Sequence, residues 1–288
     1  MLTIPHTNQG RWPSQISAGR FAASIQRDNH EGCRIALLGL PDDTGVKLNH
    51  GRSGAAHGPK AFREALAGYG SNHSEWRRVF DAGDVEPAES LEATHDRVTA
   101  ATSALLDAGL FPIAIGGGHD LTYPFVRAVA AKYPQLAAIY FDAHLDVRET
   151  PGSGMPFRNL IEDCGVSSLH LHGYRPLVNA TEHHDWFTRH GGKHYPDGTP
   201  VSIPPEENIF ASFDLDVLDA SHAPGVSALN PAGWTVREAE QWVRACGKSP
   251  NVRCFDVMEL NPLRDADGRT ARVAAHLFMT FIEGFSRR

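Results

Sequence analysis

The stretch Ala137-Ala138-Ile139-Tyr140-Phe141-Asp142-Ala143-His144-Leu145-Asp146 joins a short apolar run to three polar side chains at every second position. Five apolar residues without polar alternation predict a parallel strand that is buried on both faces. Side chains alternate along an extended chain, so Asp142, His144 and Asp146 point to one side. We therefore expect a strand over 137–141 that ends in a chelating group.

The same alternation of short apolar runs with amphipathic segments continues along the chain. Strands are predicted at Arg34–Leu40, Arg78–Asp81, Phe111–Ile115, Ser168–His172, Ile209–Phe213 and Val252–Val257. Helices are predicted at Lys60–Ala67, Ser90–Ala108, Tyr123–Lys132, Thr235–Cys246 and Ala271–Phe285. This order predicts an α/β fold, a three-layer α/β/α arrangement around an open, mostly parallel, doubly wound sheet.

No linker, charge block or internal repeat divides the 288 residues, so we expect a single domain over 1–288. Residues 1–30 are expected to form an irregular N-terminal extension with a short helix near 20–27. The composition is 41% hydrophobic and the formal net charge is −7, which argues against a nucleic-acid partner. No apolar run is long enough to span a bilayer, and the N-terminus lacks a signal core.

We therefore expect a cytoplasmic protein that does not bind membranes. The four cysteines are scattered and form no C-x-x-C pair, which favours free thiols over a zinc or redox site.

Two further clusters stand where predicted strands end. One is Gly116-Gly117-Gly118-His119-Asp120, and the other is Asp214-Leu215-Asp216. Sheets of this kind place their sites outside the carboxyl ends of the strands, so the three clusters should converge. Neighbouring buried carboxylates such as Asp214 and Asp216 repel each other unless a cation lies between them. Taken singly, each cluster also fits a tight turn or a hydrogen-bonded loop.

Together the clusters supply oxygen ligands and two imidazoles, a set that suits manganese, magnesium or iron better than softer metals. Carboxylates shared by two such ions hold them roughly 3.5–4 Å apart and lower the pKa of a bridging water towards neutrality. The predicted ligands are His119, Asp142, His144, Asp146, Asp214 and Asp216.

From about Ile35 to the C-terminal helix the chain resembles the ureohydrolases, the family of arginases, agmatinases and formimidoylglutamases. Four motifs in order carry the resemblance: Gly116–Asp120, Phe141–Asp146, Ser212–Pro224 and Asp256–Pro262. The family pattern implies two divalent metal ions, with Mn²⁺ favoured. It implies that one ion is held by His119, Asp142, Asp146 and Asp214, and the other by Asp142, His144, Asp214 and Asp216.

The resemblance also implies the catalytic groups. Glu259 matches the carboxylate that grips the amidine or guanidine cation, although on its own it would fit a solvated loop equally well. Asp146 is expected to orient the bridging hydroxide and take its proton. The implied reaction is hydrolysis of a carbon–nitrogen bond in a linear amidine.

Within the family, three features are most similar to formimidoylglutamase. They are the loop Asp42–Pro59, the glycine at Gly118 and the segment Ser153–Arg158. Arginases and agmatinases typically carry a histidine, their proposed proton shuttle, where Ser153 stands. The expected reaction is therefore N-formimidoyl-L-glutamate plus water to L-glutamate and formamide, a step of histidine degradation.

This substrate carries two carboxylates beside its amidine, and each could form a bidentate pair with an arginine. Arg148 and Arg158 are the predicted partners, with Arg175 a third candidate, and Ser153 and Gly154 are predicted to line the same pocket. The alternative is that these arginines form surface or structural ion pairs. Histidines such as His183 are expected to be surface, loop or partly buried residues rather than additional ligands.

Two other functions are compatible with the motifs. One is a ureohydrolase that releases urea from a guanidino acid or amine, and the other is a catalytically silent metal-binding homologue. The complete ligand set disfavours the second. The family commonly forms dimers, trimers or hexamers, so a homo-oligomer is left open.

Overall fold

The computed structural model describes residues 2–70 and 76–288. The strands are β1 (Thr7–Asn8), β2 (Ile35–Leu40), β3 (Val79–Val85), β4 (Phe111–Gly116), β5 (Ala137–Phe141), β6 (Ser168–His172), β7 (Lys193–Tyr195), β8 (Ile209–Asp214) and β9 (Val252–Met258). The helices are α1 (Thr44–Leu48), α2 (Gly58–Leu66), α3 (Leu91–Asp107), α4 (Thr122–Lys132), α5 (Pro156–Cys164), α6 (Thr181–Arg189), α7 (Val236–Lys248) and α8 (Arg269–Phe285).

The strands of the described residues form one sheet in the order β1-β3-β2-β4-β9-β8-β5-β6-β7. All neighbouring strands pair in parallel except β1, which runs antiparallel to β3. The four strands that precede the predicted site residues, β4, β9, β8 and β5, are adjacent in the middle of the sheet. The sheet therefore brings these sequence-distant segments to one place.

Helices cover both faces of the sheet and form two separate apolar cores. On one face α2, α7 and α8 pack against side chains such as Ile35 and Ile113. On the other face α3, α4 and α5 pack against the alternate positions, such as Ala36 and Ala114. Because successive strand residues point to opposite faces, β2, β3, β4, β5, β8 and β9 each serve both cores. The predicted three-layer fold is confirmed.

A buried ion pair joins helix α2 to β3, and the N-terminal segment contacts it through Trp12. Arg63 is fully buried and its guanidinium donates to Asp81 at 2.8 Å and to Asp84 at 2.6 Å. Trp12 Nε1 also donates to Asp81, at 2.6 Å. β3 runs on to Val85, past the predicted end at Asp81, and these contacts pair the charges of both its aspartates.

Several elements differ from the prediction. In place of the helix expected near 20–27, a 3₁₀ turn covers Phe21–Ser24 alone. The short helix α1 lies in the region predicted as loop, and α5, α6 and β7 had no predicted counterpart. These elements are short and polar, so their periodicity was too weak to read. No helix in the described part of the chain is long and apolar enough to cross a membrane.

Candidate metal centre

The predicted ligands lie at the carboxyl ends of the four central strands. His119 begins a 3₁₀ turn directly after β4, and Asp142 follows β5. Asp214 is the last residue of β8, with Asp216 in the turn that follows. Glu259 comes directly after β9. The expected convergence of the sequence clusters therefore occurs.

One group of ligands surrounds the Nδ1 atom of His119. This nitrogen lies 3.1 Å from Asp142 Oδ2, 3.0 Å from Asp146 Oδ2 and 3.1 Å from Asp214 Oδ2. His119, Asp142 and Asp214 are buried, and Asp146 is partly exposed. Three carboxylates thus converge on one imidazole nitrogen, an arrangement suited to a cation.

A second group shares Asp142 with the first. His144 Nδ1 lies 3.3 Å from Asp142 Oδ1 and 3.0 Å from Asp216 Oδ2. Candidate ligand atoms of Asp142, His144 and Asp216 all fall within 4.8 Å of one another. Asp214, which was predicted to serve both ions, falls within this distance only in the first group. Its bridging role stays a prediction.

A repeated local turn aims the two central aspartates. Asp142 Oδ1 accepts the main-chain N–H of His144 at 2.6 Å, and Asp214 Oδ1 accepts that of Asp216 at 2.7 Å. Each carboxylate caps the residue two positions on, as aspartates do in Asx turns. In both residues this bond leaves Oδ2 facing His119 Nδ1.

A buried hydrogen-bond chain behind His119 fixes the orientation of its ring. Ser212 Oγ donates to Asp256 Oδ1 at 2.6 Å and lies 3.0 Å from His119 Nε2. Since the hydroxyl proton is directed to Asp256, Nε2–H of His119 donates to Ser212. The lone pair of Nδ1 then faces the three carboxylates, as a metal-ligating histidine requires.

Ser212 and Asp256 each open one of the family motifs, but no role was predicted for either residue. Ser212 stands two residues before Asp214 on the same strand, so the period of two already placed both on one face.

The electrostatics of the cluster fit a cation. Burial, together with the charges of Asp146 and Asp216, raises the pKa of Asp142 to about 6. Burial and the charges of Asp216 and Asp142 also raise the pKa of Asp214 well above its usual range. Among the described residues, Asp142 Oδ2, Asp216 Oδ1 and His119 Nδ1 are buried without a hydrogen-bond partner. Divalent cations would neutralise these carboxylates and coordinate the unpartnered atoms.

A cleft of about 400 Å³ opens above the cluster. Asp146, Asp214, Asp216 and Glu259 are among the residues at its base, and Arg148 and Ser153 line its wall. Asn49, from the region predicted as loop, donates to Ser153 Oγ at 3.2 Å. The volume suits a small metabolite.

Glu259 and Asp146 both face this cleft from left-handed backbone, with φ of 67° and 47°. Such angles are uncommon for residues other than glycine and concentrate at functional sites. Glu259 Oε1 accepts the main-chain N–H of His119 at 2.9 Å, while Oε2 is buried with no partner within hydrogen-bond distance in the described chain. Burial raises the pKa of Glu259 to about 7, although the neighbouring Ser227 hydroxyl and the His119 N–H oppose the shift.

The predicted arginines lie in different places. Arg148 lines the cleft and packs along Gly154, where a Cβ atom would come within 2.8 Å of Arg148 Cδ. Arg158 does not line the cleft; it pairs with Glu162 at 3.0 Å and lies over the ring of Trp186, in a neighbouring cavity that Arg148 also borders.

Arg175 also lies outside the cleft, where it pairs with Asp197 at 2.9 Å. The geometry thus brings only Arg148 of the three into the cleft.

The cleft is also lined by two histidines that were not predicted as site residues. His183 comes from α6 and His50 from the turn after α1. Because α6 was not predicted, no sequence pattern pointed to His183 as a cleft residue.

Comparison with known proteins agrees with this geometry. A model of the arginase family matches residues 33–283. The chain belongs to the arginase family. It is 35% identical to a formimidoylglutamase from Aromatoleum aromaticum, over 88% of this chain and 84% of that protein. It is 37% identical to a formimidoylglutamase from Nocardia farcinica, over 84% of this chain and 83% of the relative.

A solved structure is similar over almost the whole length. The crystal structure of formiminoglutamase from Trypanosoma cruzi with a pair of Mn²⁺ ions superimposes with a TM-score of 0.87. The two chains are 32% identical, and the match covers 95% of this chain and 100% of the other. The arginase fold predicted from the motifs is therefore confirmed.

Proposed function

We propose that this arginase-family member hydrolyses N-formimidoyl-L-glutamate to L-glutamate and formamide with two Mn²⁺ ions. The observation that carries the proposal is the buried cluster of carboxylates and imidazoles beneath a cleft that also presents Glu259 and Arg148. The similar proteins from Aromatoleum and Nocardia, both formimidoylglutamases, support this substrate.

Six side chains would hold the two ions. His119, with Asp142, Asp146 and Asp214, would hold one, and His144 and Asp216 would hold the other with Asp142 and Asp214 shared. When bound, two such ions supply a water of lowered pKa and offset negative charge that develops in the transition state. The Ser212–Asp256 chain keeps the His119 ring turned towards its ion.

Asp146 and Glu259 are the proposed catalytic side chains. Asp146 Oδ2 lies among the ligand atoms and its side chain is 13% exposed, so it can accept a proton from the attacking water. Glu259 Oε2 has no partner in the described chain and can accept a hydrogen bond from the amidinium of the substrate. A buried carboxylate at that position orients the formimidoyl carbon above the metal centre.

Arg148 would recognise a carboxylate of the substrate. It is the arginine that lines the cleft, and Gly154 leaves room for its side chain. Ser153, with its hydroxyl held by Asn49, would accept or donate a further hydrogen bond. A cation on the wall favours an acidic substrate over agmatine, which carries no carboxylate.

The test is product analysis. The manganese-loaded protein is incubated separately with N-formimidoyl-L-glutamate, arginine, agmatine and guanidinobutyrate, and formamide and urea are assayed. We expect formamide from the first substrate alone. Urea from one of the others would replace the proposed substrate while leaving the metal centre intact. An Asp214→Ala variant that is fully active without metal would overturn the two-metal mechanism.

We also infer a cytoplasmic location, because all four cysteines are free thiols, as is usual in a reducing compartment. A single domain over 1–288 and a homo-oligomeric assembly stay predictions.

A further inference from the structure

A second cavity lies at the opposite end of the sheet from the metal centre. It measures about 350 Å³ and is bordered by the residues where strands begin. Arg34 directly precedes β2, Phe111 opens β4 and Val252 opens β9. The metal centre lies at the carboxyl ends of the same strands, so the two sites are separated by the thickness of the fold.

The lining of this cavity is strongly cationic. It includes five basic side chains, and no acidic side chain is among the lining residues of the described chain. This composition contrasts with the whole protein, whose formal net charge is −7. The basic residues are Arg34, Arg77, Lys132, Arg253 and Arg288.

Two of these cations, Arg253 and Arg288, are held by neutral groups. Arg253 donates to Asn208 Oδ1 at 2.8 Å and to two main-chain carbonyls. Arg288 donates to three main-chain carbonyls, those of Gly247, Val252 and Cys246. Carbonyls and amides orient a guanidinium without neutralising it, so both positive charges persist at the cavity.

Aromatic rings fix the same side chains. The guanidinium of Arg253 lies 5.0 Å from the ring centre of Tyr133, and that of Arg288 lies 4.3 Å from the ring centre of Phe285. Burial and the nearby charge of Arg253 lower the pKa of Arg288 to about 10. Both cations are thus fixed in position before any anion arrives, which reduces the entropy lost on binding.

Like charges held together inside a concavity call for an anion of opposite charge. Guanidinium groups bind phosphate and carboxylate in bidentate geometry, and several around one cavity suit a ligand with more than one such group. A cavity of this volume accommodates a small molecule, whereas a macromolecular partner would need a broader patch. We propose that this cavity binds a small polyanion with two or more phosphate or carboxylate groups.

The test is a calorimetric titration of the manganese-loaded protein with a polyanion at constant ionic strength. Two probes separate the sources of the charge: fructose 1,6-bisphosphate carries phosphates and propane-1,2,3-tricarboxylate carries carboxylates. Arg34 and Arg77 are exposed, so an Arg34→Gln/Arg77→Gln double variant should fold normally. Arg78→Gln is the control, since it removes one positive charge from an exposed neighbour that does not line the cavity.

We expect binding of at least one probe, with a Kd that rises about tenfold or more in the double variant, because each charged hydrogen bond contributes about 1.5–3 kcal/mol. Arg78→Gln should leave the Kd within about twofold, as expected for a charge that does not touch the ligand. Absence of binding by both probes would overturn the proposal. So would equal weakening in the control, which would indicate diffuse attraction.

Discussion

Replacing Ser212 with alanine should weaken metal binding without touching a ligand. His119 Nε2–H loses its acceptor, the Ser212 hydroxyl 3.0 Å away. Asp256 Oδ1 loses the donor that lies 2.6 Å from it, the same hydroxyl. Loss of such an outer hydrogen bond lowers metal affinity by about 10–100-fold. A buried acceptor left unsatisfied costs a further 1–3 kcal/mol of folding free energy, roughly.

Both quantities are measurable. Manganese affinity is obtained by calorimetry on metal-stripped protein, and the free energy of unfolding by urea denaturation. Thr122→Val is the control, because Thr122 Oγ1 donates to the other oxygen of Asp256 at 3.1 Å and lies 3.4 Å from Ser212 Oγ, but forms no hydrogen bond to His119 in the described chain. We expect Thr122→Val to lose stability but to keep the affinity for manganese.

If Ser212→Ala binds manganese as tightly as the unchanged protein, the ring of His119 does not depend on this chain and the reasoning is refuted. Equal loss of affinity in Thr122→Val would mean that general destabilisation, rather than ring orientation, controls binding.

Three further substitutions test other parts of the account. Arg148→Gln should raise KM for formimidoylglutamate about 10–100-fold, as expected for a lost charged hydrogen bond. Arg158→Gln changes an arginine outside the cleft and should leave KM nearly unchanged. If both variants raise KM equally, Arg148 does not contact the substrate directly. Glu259→Gln should lower kcat/KM by about 100-fold or more, because a buried amidinium loses its counter-charge; an unchanged value would remove Glu259 from the site. Arg63→Leu should lower the free energy of unfolding by about 3–5 kcal/mol, since it leaves two carboxylates without their buried partner; a loss below about 1 kcal/mol in urea denaturation would show that the pair contributes little.

Much of the fold was predictable because the central strands are apolar and end abruptly at charged residues. Ala137–Phe141 and Ile209–Phe213 are bounded by Asp142 and Asp214, so both the strand and its functional end can be read from the sequence. The alternation of side chains along an extended chain predicts which polar residues after each strand lie together as ligands. The glycines that precede His119 predict the turn that follows its strand.

The parts that escaped prediction depend on tertiary contacts. Helix α6 is short and buries only Trp186 and Phe187, yet it places His183 on the cleft wall. Arg158 stands four residues before Glu162 on α5, and that helical spacing, which was not predicted, draws its guanidinium away from the cleft. An arginine near a motif is therefore a weak guide to the pocket until the helix that carries it is known.

The most direct measurement is the anomalous scattering of manganese in crystals of the metal-loaded protein. We expect two peaks roughly 3.5–4 Å apart, as in other two-metal hydrolases. One should lie beside His119 Nδ1 and the other beside His144 Nδ1. A single peak, or peaks away from Asp142 and Asp214, would contradict the binuclear centre.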